Sequence, residues 1–253
     1  GLYSHKSNKI IEIDECLIAV KKINDSEIFK KNWIKRDKLN ISVSSKNQLS
    51  INQLGKNLLG LEKQEEIVEE HTYTISPNSF WQSHKNAPAL LMNIVLKYAN
   101  IKIGDKICDL YGGVGLFTAP ISKLIGETGE VHLIERNNDC IKDAKIMFKN
   151  KKNIKIHHGK VEQKLDRIKN INTIILDPPR NGAGKQVVSQ IIDKEPITIV
   201  YVSCDPPSLA RDTKLLIENN YKLENLIGLD FHDAILPPVI QRNIIENPSW
   251  YTA

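Results

Sequence analysis

The stretch Lys106-Ile-Cys-Asp-Leu-Tyr-Gly-Gly-Val-Gly-Leu-Phe117 decides the fold, because an apolar strand runs directly into a glycine-rich turn. Glycine lets the backbone approach a ligand that a Cβ atom would keep at a distance. A helix predicted after the turn directs its amide groups to the same place. The spacing is Gly-x-Gly behind an acid, Asp109, and Thr118 stands where dinucleotide-binding turns have a third glycine. We therefore expect a site for a nucleotide-type cofactor at this turn.

Apolar strands and helical patterns alternate around this stretch, which indicates βαβ units and a parallel sheet. The predicted fold class is α/β: a Rossmann-like, mostly parallel sheet with helices on both faces, preceded by a small, partly β N-terminal region. The strands are expected at Lys106–Leu110, Glu130–Ile134, Ile154–His157, Thr173–Leu176 and Ile197–Val202, and helices at Asn86–Tyr98, Cys140–Phe148 and Ser208–Ile217.

The composition excludes several classes of protein. With 41% hydrophobic and 26% charged residues the chain can form a packed core. It has no run of about 18 apolar residues, so we expect no membrane span. The four cysteines are far apart and include no CxxC pair, which argues against a disulfide scaffold or zinc site and favours the reducing cytoplasm. The net charge of +5 is compatible with a nucleic-acid partner but is common among proteins of other kinds.

Two further strands end in chemically distinctive residues. The last predicted strand leads into Tyr201-Val-Ser-Cys-Asp-Pro-Pro-Ser-Leu-Ala-Arg-Asp212, which places the Cys204 thiol at the carboxyl edge of the sheet, where ligands bind in open α/β folds. A nucleophile and a buried structural cysteine both fit this position. The preceding strand ends in Leu176-Asp-Pro-Pro-Arg180, where proline stiffens the corner and holds Asp177 at the same edge.

Glu135 follows the strand after the glycine turn, roughly twenty residues on, where an acid can accept hydrogen bonds from ribose hydroxyls. Taken alone it is equally well a solvated loop carboxylate. Together, Asp109, the glycine turn and Glu135 look like the S-adenosylmethionine (SAM) site of a class I methyltransferase. An NAD-type dehydrogenase is the main competing interpretation.

Four motifs together resemble the RNA 5-methyluridine methyltransferases: Phe80-Trp-Gln82, the glycine turn, Leu176–Arg180 and above all Tyr201–Asp212. The resemblance covers residues 72 to 230 well and is fainter near the N-terminus. It implies SAM-dependent methylation of uridine C5 in tRNA or ribosomal RNA through a covalent bond between cysteine and C6. Arg211 fits a phosphate contact or a structural contact, and it fits a solvated position on the helix surface at least as well.

The resemblance also assigns the site. It implies Cys204 as the nucleophile, with no metal and, since only Cys16 remains as a ligand candidate, no iron–sulfur cluster. No protein partner is inferred. The residues implied for cofactor binding are Gln82, Tyr111, Gly113, Gly115, Leu116, Glu135 and Asp177.

The resemblance stops after Asp230, so we divide the chain into three parts. Residues 1–72 are expected to be part of an RNA-contacting region and to lack their upstream end, 73–230 to form the methyltransferase domain, and 231–253 to be a divergent or frame-shifted tail without the closing strand. The family's His-x-Glu base motif is missing. Gln241 and Asn243 align there but neither is a base near pH 7, and Glu246 and Asp233 are poor substitutes. A catalytically impaired RNA- or SAM-binding relative and an RNA cytosine-C5 methyltransferase therefore stay open as alternatives.

Overall fold

The structure, a computed structural model, describes residues 2–3, 9–31, 33, 38–54, 56–230 and 239–246. Its N-terminal part consists of short antiparallel sheets, one short α-helix and a 3-10 turn at Ile28–Lys30, in agreement with the partly β region that the sequence predicts. Strand β1 pairs with β2, β3 with β4 and β4 with β5, and β6 forms a hairpin with β7. These elements are β1 (Leu2–Tyr3), β2 (Ile10–Ile11), α1 (Lys21–Asn24), β3 (Leu39–Val43), β4 (Leu49–Gln53), β5 (Lys56–Leu59), β6 (Gln64–Val68) and β7 (His71–Ile75).

The rest of the described chain builds a seven-stranded sheet with six helices around it. The strands are β8 (Lys106–Leu110), β9 (Glu130–Glu135), β10 (Ile154–His158), β11 (Thr173–Leu176), β12 (Thr198–Ser203), β13 (Lys222–Asp230) and β14 (Val239–Glu246). The helices are α2 (Ala87–Tyr98), α3 (Thr118–Leu124), α4 (Asn138–Met147), α5 (Val161–Lys164), α6 (Gly184–Asp193) and α7 (Pro206–Ile217).

The strand order is β10-β9-β8-β11-β12-β14-β13. Strands β8 to β12 run parallel to one another, while β14 is antiparallel to both of its neighbours. Parallel neighbours need a crossover connection, which the intervening helices supply. The turns that follow β8, β9, β11 and β12 consequently meet at one edge of the sheet.

Two apolar clusters cover the two faces of the sheet. One collects α2, α3, α4 and Tyr73 of β7, and the other collects α5, α6 and α7. Alternate residues of strand β12 point to opposite faces of the sheet and therefore belong to different clusters. Val200 and Val202 belong to the first cluster, and Ile199 and Tyr201 to the second. A strand buried on both faces is the expected pattern for a parallel sheet flanked by helices. The predicted α/β class is confirmed.

The expectation that no closing strand follows Asp230 is wrong. Strand β14 lies between β12 and β13; it pairs with β13 along its whole length and with β12 from residue 241 to residue 246. The strand is difficult to recognise from its sequence, Val-Ile-Gln-Arg-Asn-Ile-Ile-Glu, because three polar residues interrupt the apolar run. Backbone pairing with the neighbouring strands on both sides stabilises this strand, although the propensities of its residues do not predict it. Residues 231–238 and 247–253, including Asp233, lie outside the described residues.

Among the helices of the described residues, none is both long and apolar enough to cross a lipid bilayer.

Candidate cofactor and nucleophile site

A shallow, open cavity lies at the carboxyl edge of the sheet, over the glycine turn. It brings together three parts of the chain that are distant in sequence: the segment before α2, the turn after β8, and the end of β11. Five of the residues predicted to bind a cofactor line this cavity, namely Gln82, Tyr111, Gly113, Leu116 and Asp177. Its other lining residues are Phe80, Trp81, Gly112, Val114 and Phe117.

The glycine turn exposes its backbone to the cavity at one position and packs inward at another. A Cβ atom built on Gly113, whose φ is 55°, would meet no atom within 4 Å, so this backbone faces open space. Gly115, with φ 96°, is buried, and a Cβ there would come within 2.5 Å of the Phe148 ring. Gly113 is therefore placed to approach a ligand, whereas Gly115 allows the turn to pack against α4.

Tyr111 begins the turn in a left-handed conformation, with φ 60°. This region is uncommon for residues other than glycine and is often found at functional sites. Burial raises the pKa of the Tyr111 hydroxyl to about 12, so it stays protonated at neutral pH and can donate a hydrogen bond. The sequence motif predicted the residue but not its strained backbone.

Glu135 lies at the end of β9 beside the turn, although it does not line the cavity directly. Its Oε2 accepts a hydrogen bond from the Gly113 amide at 3.0 Å, and its Oε1 accepts from the amides of Arg136 and Asn137 at 2.6 and 2.5 Å. Three backbone donors thus fix the carboxylate next to the exposed part of the turn. Acceptor oxygens in this place suit a ribose.

Asp109 has a structural role beneath the turn. It is buried at 1% exposure, and the Thr118 hydroxyl donates a 2.6 Å hydrogen bond to its Oδ2. Thr118 therefore fastens the first turn of α3 to β8 in the place where the sequence motif lacks a glycine. Burial, only partly offset by this hydrogen bond, raises the pKa of Asp109 to about 7.

The raised pKa of Asp109 predicts a pH dependence of stability. Between its unfolded pKa near 4 and its folded pKa near 7, the folded state binds more protons, so stability falls as the pH rises through this window. Asp109→Asn removes this contribution and should gain about 2–3 kcal/mol relative to the natural chain between pH 5 and pH 8. Urea unfolding of both proteins at the two pH values measures it. An offset between them that does not change with pH would contradict the assignment.

The wall opposite the turn is held by aromatic packing and one side-chain contact. Tyr73 stacks at a tilt on Trp81 with 5.2 Å between ring centroids, and its hydroxyl donates to the Leu116 carbonyl at 3.0 Å. At the far end of the wall, Gln82 Nε2 lies 3.4 Å from Asp177 Oδ2. The Phe80–Gln82 segment thus spans the cavity from the glycine turn to the end of β11.

Cys204 is an exposed free thiol, whereas Cys108 and Cys140 are buried. Leu176 pairs with Tyr201 across β11 and β12, which puts Asp177 two residues behind Cys204 on the neighbouring strand. From strand geometry, their Cα atoms are about 8 Å apart. Cys204 does not line the cavity itself but borders the edge at which Asp177 closes it. A sealed structural cysteine is therefore ruled out.

The backbone around Cys204 is fixed by a helix cap. Asp205 accepts a hydrogen bond from the Ser208 amide at 2.9 Å, which satisfies one of the free donors at the start of α7. This bond holds the pKa of Asp205 below its usual value. The thiol consequently lies between a strand that ends at Ser203 and a capped helix that begins at Pro206.

A buried carboxylate joins the Cys204 helix to the loop that follows Asp177. Asp212 of α7 is fully buried and accepts hydrogen bonds from the Ala183 amide at 2.8 Å and the Tyr201 hydroxyl at 2.8 Å. Arg211 Nε donates to Asp212 at 2.9 Å, and its Nη2 donates to the Asn181 carbonyl at 2.8 Å. Arg211 therefore makes structural contacts, while about half of its side chain is exposed on the helix surface.

The register of β14 separates the base candidates. Glu246 pairs with Thr198, at the opposite end of β12 from Cys204, so about 17 Å of strand lies between that pair and Ser203. Gln241 is the residue that pairs with Ser203. In the backbone register, Gln241 thus pairs one residue before Cys204, whereas Glu246 pairs at the far end of β12.

Sequence reasoning missed two buried carboxylates that shape the site. Asp212 stands in the cysteine motif, and the sequence gives no sign that it is buried. Asp143 belongs to the buried side of α4, together with Cys140 and Ala144. An acid at apolar spacing on a helix was the signal that could have found it.

Proteins of similar sequence include RNA methyltransferases of bacteria. The chain is 29% identical over 260 residues to an uncharacterized RNA methyltransferase of Streptomyces avermitilis, covering 91% of this chain and 60% of that protein. It is 36% identical over 174 residues to one of Thermotoga maritima, covering 65% of this chain and 38% of that protein. These similarities support an RNA methyltransferase family. The chain spans 60% or less of the length of either relative.

A solved structure of an RNA methyltransferase shares the fold. The crystal structure of Pyrococcus abyssi tRNA (uracil-54, C5)-methyltransferase in complex with S-adenosyl-L-homocysteine superposes with a TM-score of 0.59 at 28% identity. The alignment covers 74% of this chain and 44% of that one. Two family models also match, each over less than half of the chain: Protein-L-isoaspartate(D-aspartate) O-methyltransferase at residues 57–175 and Glycine cleavage system P-protein at residues 158–253.

Proposed function

We propose that this protein is a SAM-dependent RNA methyltransferase that methylates C5 of uridine, with Cys204 as a covalent nucleophile. The observation that carries the proposal is the exposed Cys204 thiol at the sheet edge where Asp177 closes the glycine-turn cavity. The relatives named as RNA methyltransferases and the uracil-C5 enzyme of similar fold support it. The substrate would be tRNA or ribosomal RNA.

The residues around the cavity suit a nucleoside-type methyl donor. The open space over Gly113 admits a ligand that a Cβ atom would displace, and Glu135 beside it offers carboxylate oxygens for ribose hydroxyls. Gln82 and Asp177 would hold the end of the donor that lies nearest to Cys204. When bound, SAM supplies a methyl group on a positively charged sulfonium.

Cys204 provides what the pyrimidine lacks, since C5 of uridine is a poor nucleophile. The thiolate adds to C6, and the electrons of the C5–C6 double bond move towards C5 and O4 as an enolate. C5 would then take the methyl group as the bond from methyl to the donor sulfur breaks, which leaves a neutral thioether. A base would remove the proton on C5, and the double bond would reform as the C6–sulfur bond breaks. One difficult substitution is thereby divided into easier steps, and the thiolate is regenerated.

We extend the proposal to the organisation of the chain. Residues 1–72 would contact RNA and 73–230 would form the methyltransferase domain, with 231–253 as a divergent end that supplies β14. A uridine in folded RNA has to be extruded before it reaches Cys204, which costs a few kcal/mol of unstacking. Lysine and arginine contacts with phosphates would offset this cost. A cytoplasmic location remains the expectation.

One observation favours a second candidate, a relative that binds SAM and RNA but turns over poorly. Gln241 pairs with Ser203 next to the nucleophile, and an amide cannot take the C5 proton near pH 7. In that case the thiol adduct would form and methyl transfer could occur, but release of the product would be slow. Single-turnover and multiple-turnover rates would then differ widely.

The products of methyl transfer test these candidates. The protein is incubated with methyl-tritiated SAM and unmodified transfer and ribosomal RNA transcripts, and the RNA is digested to nucleosides. We expect the label in 5-methyluridine. Label in 5-methylcytidine would establish the cytosine alternative. Label that stays in RNA covalently bound to the protein, or SAM binding without any label in RNA, would favour the impaired relative. Retention of NAD rather than SAM would overturn the proposed cofactor.

A further inference from the structure

Asp143 of α4 is a buried carboxylate that binds one short segment of the chain and one lysine. Its side chain has no exposed surface, and its oxygens accept hydrogen bonds from the Ser76 amide at 2.8 Å and the Ser76 and Ser79 hydroxyls, each at 2.7 Å. Lys63, just before β6, adds an ion pair at 3.0 Å. Bonds to an ionised acceptor are stronger than neutral ones, so this is a firm attachment point.

The attached segment, Ser76–Ser79, leads directly into the Phe80–Gln82 wall of the cavity. A second tether lies at the start of α4, where Asn137 Nδ2 donates to the Asn78 carbonyl at 3.1 Å. The backbone amide of the same Asn137 donates a hydrogen bond to the Glu135 carboxylate. Helix α4 therefore fixes the position of the cavity wall relative to the Glu135 carboxylate beside the glycine turn.

We propose that Asp143 is a positioning residue that sets the affinity for SAM by holding the Phe80–Gln82 wall over the glycine turn. The inference rests on the proposed function, in that it takes this cavity to be the SAM site. Asp143 does not line the cavity. Its effect on the ligand is transmitted by the three residues between Ser79 and the end of the wall.

Asp143→Asn tests this role. The asparagine side chain has the same size but only one acceptor oxygen, whereas the present donors bind to both carboxylate oxygens. The substitution also removes the negative charge that pairs with Lys63. Because hydrogen bonds to charged groups are worth about 1.5–3 kcal/mol, we expect the dissociation constant of SAM to rise about tenfold or more. Ser79→Ala removes one of the bonds and should raise it a few-fold. Asp193→Asn, which removes an exposed carboxylate at the end of α6, is the control.

Trp81 supplies a readout that a purely stabilising role would not move. In a Trp33→Phe, Trp250→Phe background it is the only tryptophan of the chain, and it lies half-buried against Tyr73. Asp143→Asn should make its fluorescence more accessible to acrylamide in the absence of SAM, at a temperature where the protein is fully folded. Asp193→Asn should leave the quenching constant unchanged.

The outcomes separate the inference from the function on which it rests. Weaker SAM binding together with a more accessible Trp81 in Asp143→Asn, or in Ser79→Ala if the first variant does not fold, supports the positioning role. Folded variants that bind SAM within twofold of the natural chain overturn the inference and leave the function standing. If the natural chain does not bind SAM at all, the proposed cofactor fails and the inference fails with it.

Discussion

Replacing Cys204 by alanine should reduce methyl transfer to RNA by more than about a thousandfold, because the step that activates C5 is lost with the sulfur. The dissociation constant of SAM should stay within about twofold, since Cys204 does not line the cavity over the glycine turn. Initial rates with labelled SAM and RNA, together with equilibrium binding of SAM, measure the two quantities separately.

Two variants make the Cys204 result specific. Cys16→Ala removes another thiol that is not buried, remote from Cys204 in the sequence, and should retain full activity. Cys204→Ser keeps the shape of the side chain but has a far weaker nucleophile, so it should resemble alanine. Methylation by Cys204→Ala at more than a tenth of the natural rate would show that the reaction does not need the thiol.

Gly182→Ala is expected to disrupt the junction between the loop that follows Asp177 and the helix that follows Cys204. Gly182 has φ 75°, and a Cβ atom there would lie 2.6 Å from Asp212 Oδ2 and 2.7 Å from Arg211 Nη2. The Asp212 carboxylate cannot move aside, since it is buried and bound to Ala183 and Tyr201. We expect a loss of about 1–3 kcal/mol in the free energy of unfolding. Displacement of the Asp177 loop from the Cys204 helix should slow methylation by about a hundredfold.

Gly104→Ala is the matched control for this substitution. Gly104 has a similar φ of 87°, but the nearest atom to a built Cβ is the Thr128 hydroxyl oxygen at 3.6 Å. It therefore carries the same backbone strain without the collision and precedes β8, at the edge opposite Cys204. Equal loss of methylation in both variants, measured where each is fully folded, would refute a special role for the Asp212 junction.

Much of the site could be predicted because parallel strands bring distant residues to one edge. The run from Lys106 to Phe117 indicated both the first strand and the turn, and Cys204 and Asp177 each follow an apolar strand that could be recognised locally. Once the sheet was taken as parallel, the carboxyl ends had to meet. As a consequence, five of the predicted residues line one cavity.

What the sequence did not reveal depends on contacts between remote segments. Strand β14 has no alternating pattern of its own and is defined by pairing with β12 and β13. Gly115 was grouped with Gly113, but only the position of Phe148 shows that one glycine packs inward while the other faces the cavity. The burial of Asp143 likewise follows from Ser76, which lies 67 residues away in the chain.

The covalent adduct on Cys204 is the most direct measurement of the central claim. The protein is incubated with SAM and RNA containing 5-fluorouridine, in which C5 carries no removable proton after methylation, and the product is digested and mapped by mass spectrometry. We expect a methylated fluorouridine attached to the peptide that contains Cys204, and no adduct in Cys204→Ala. Methylated RNA that is released with Cys204 unmodified, or an adduct on another residue, would contradict it.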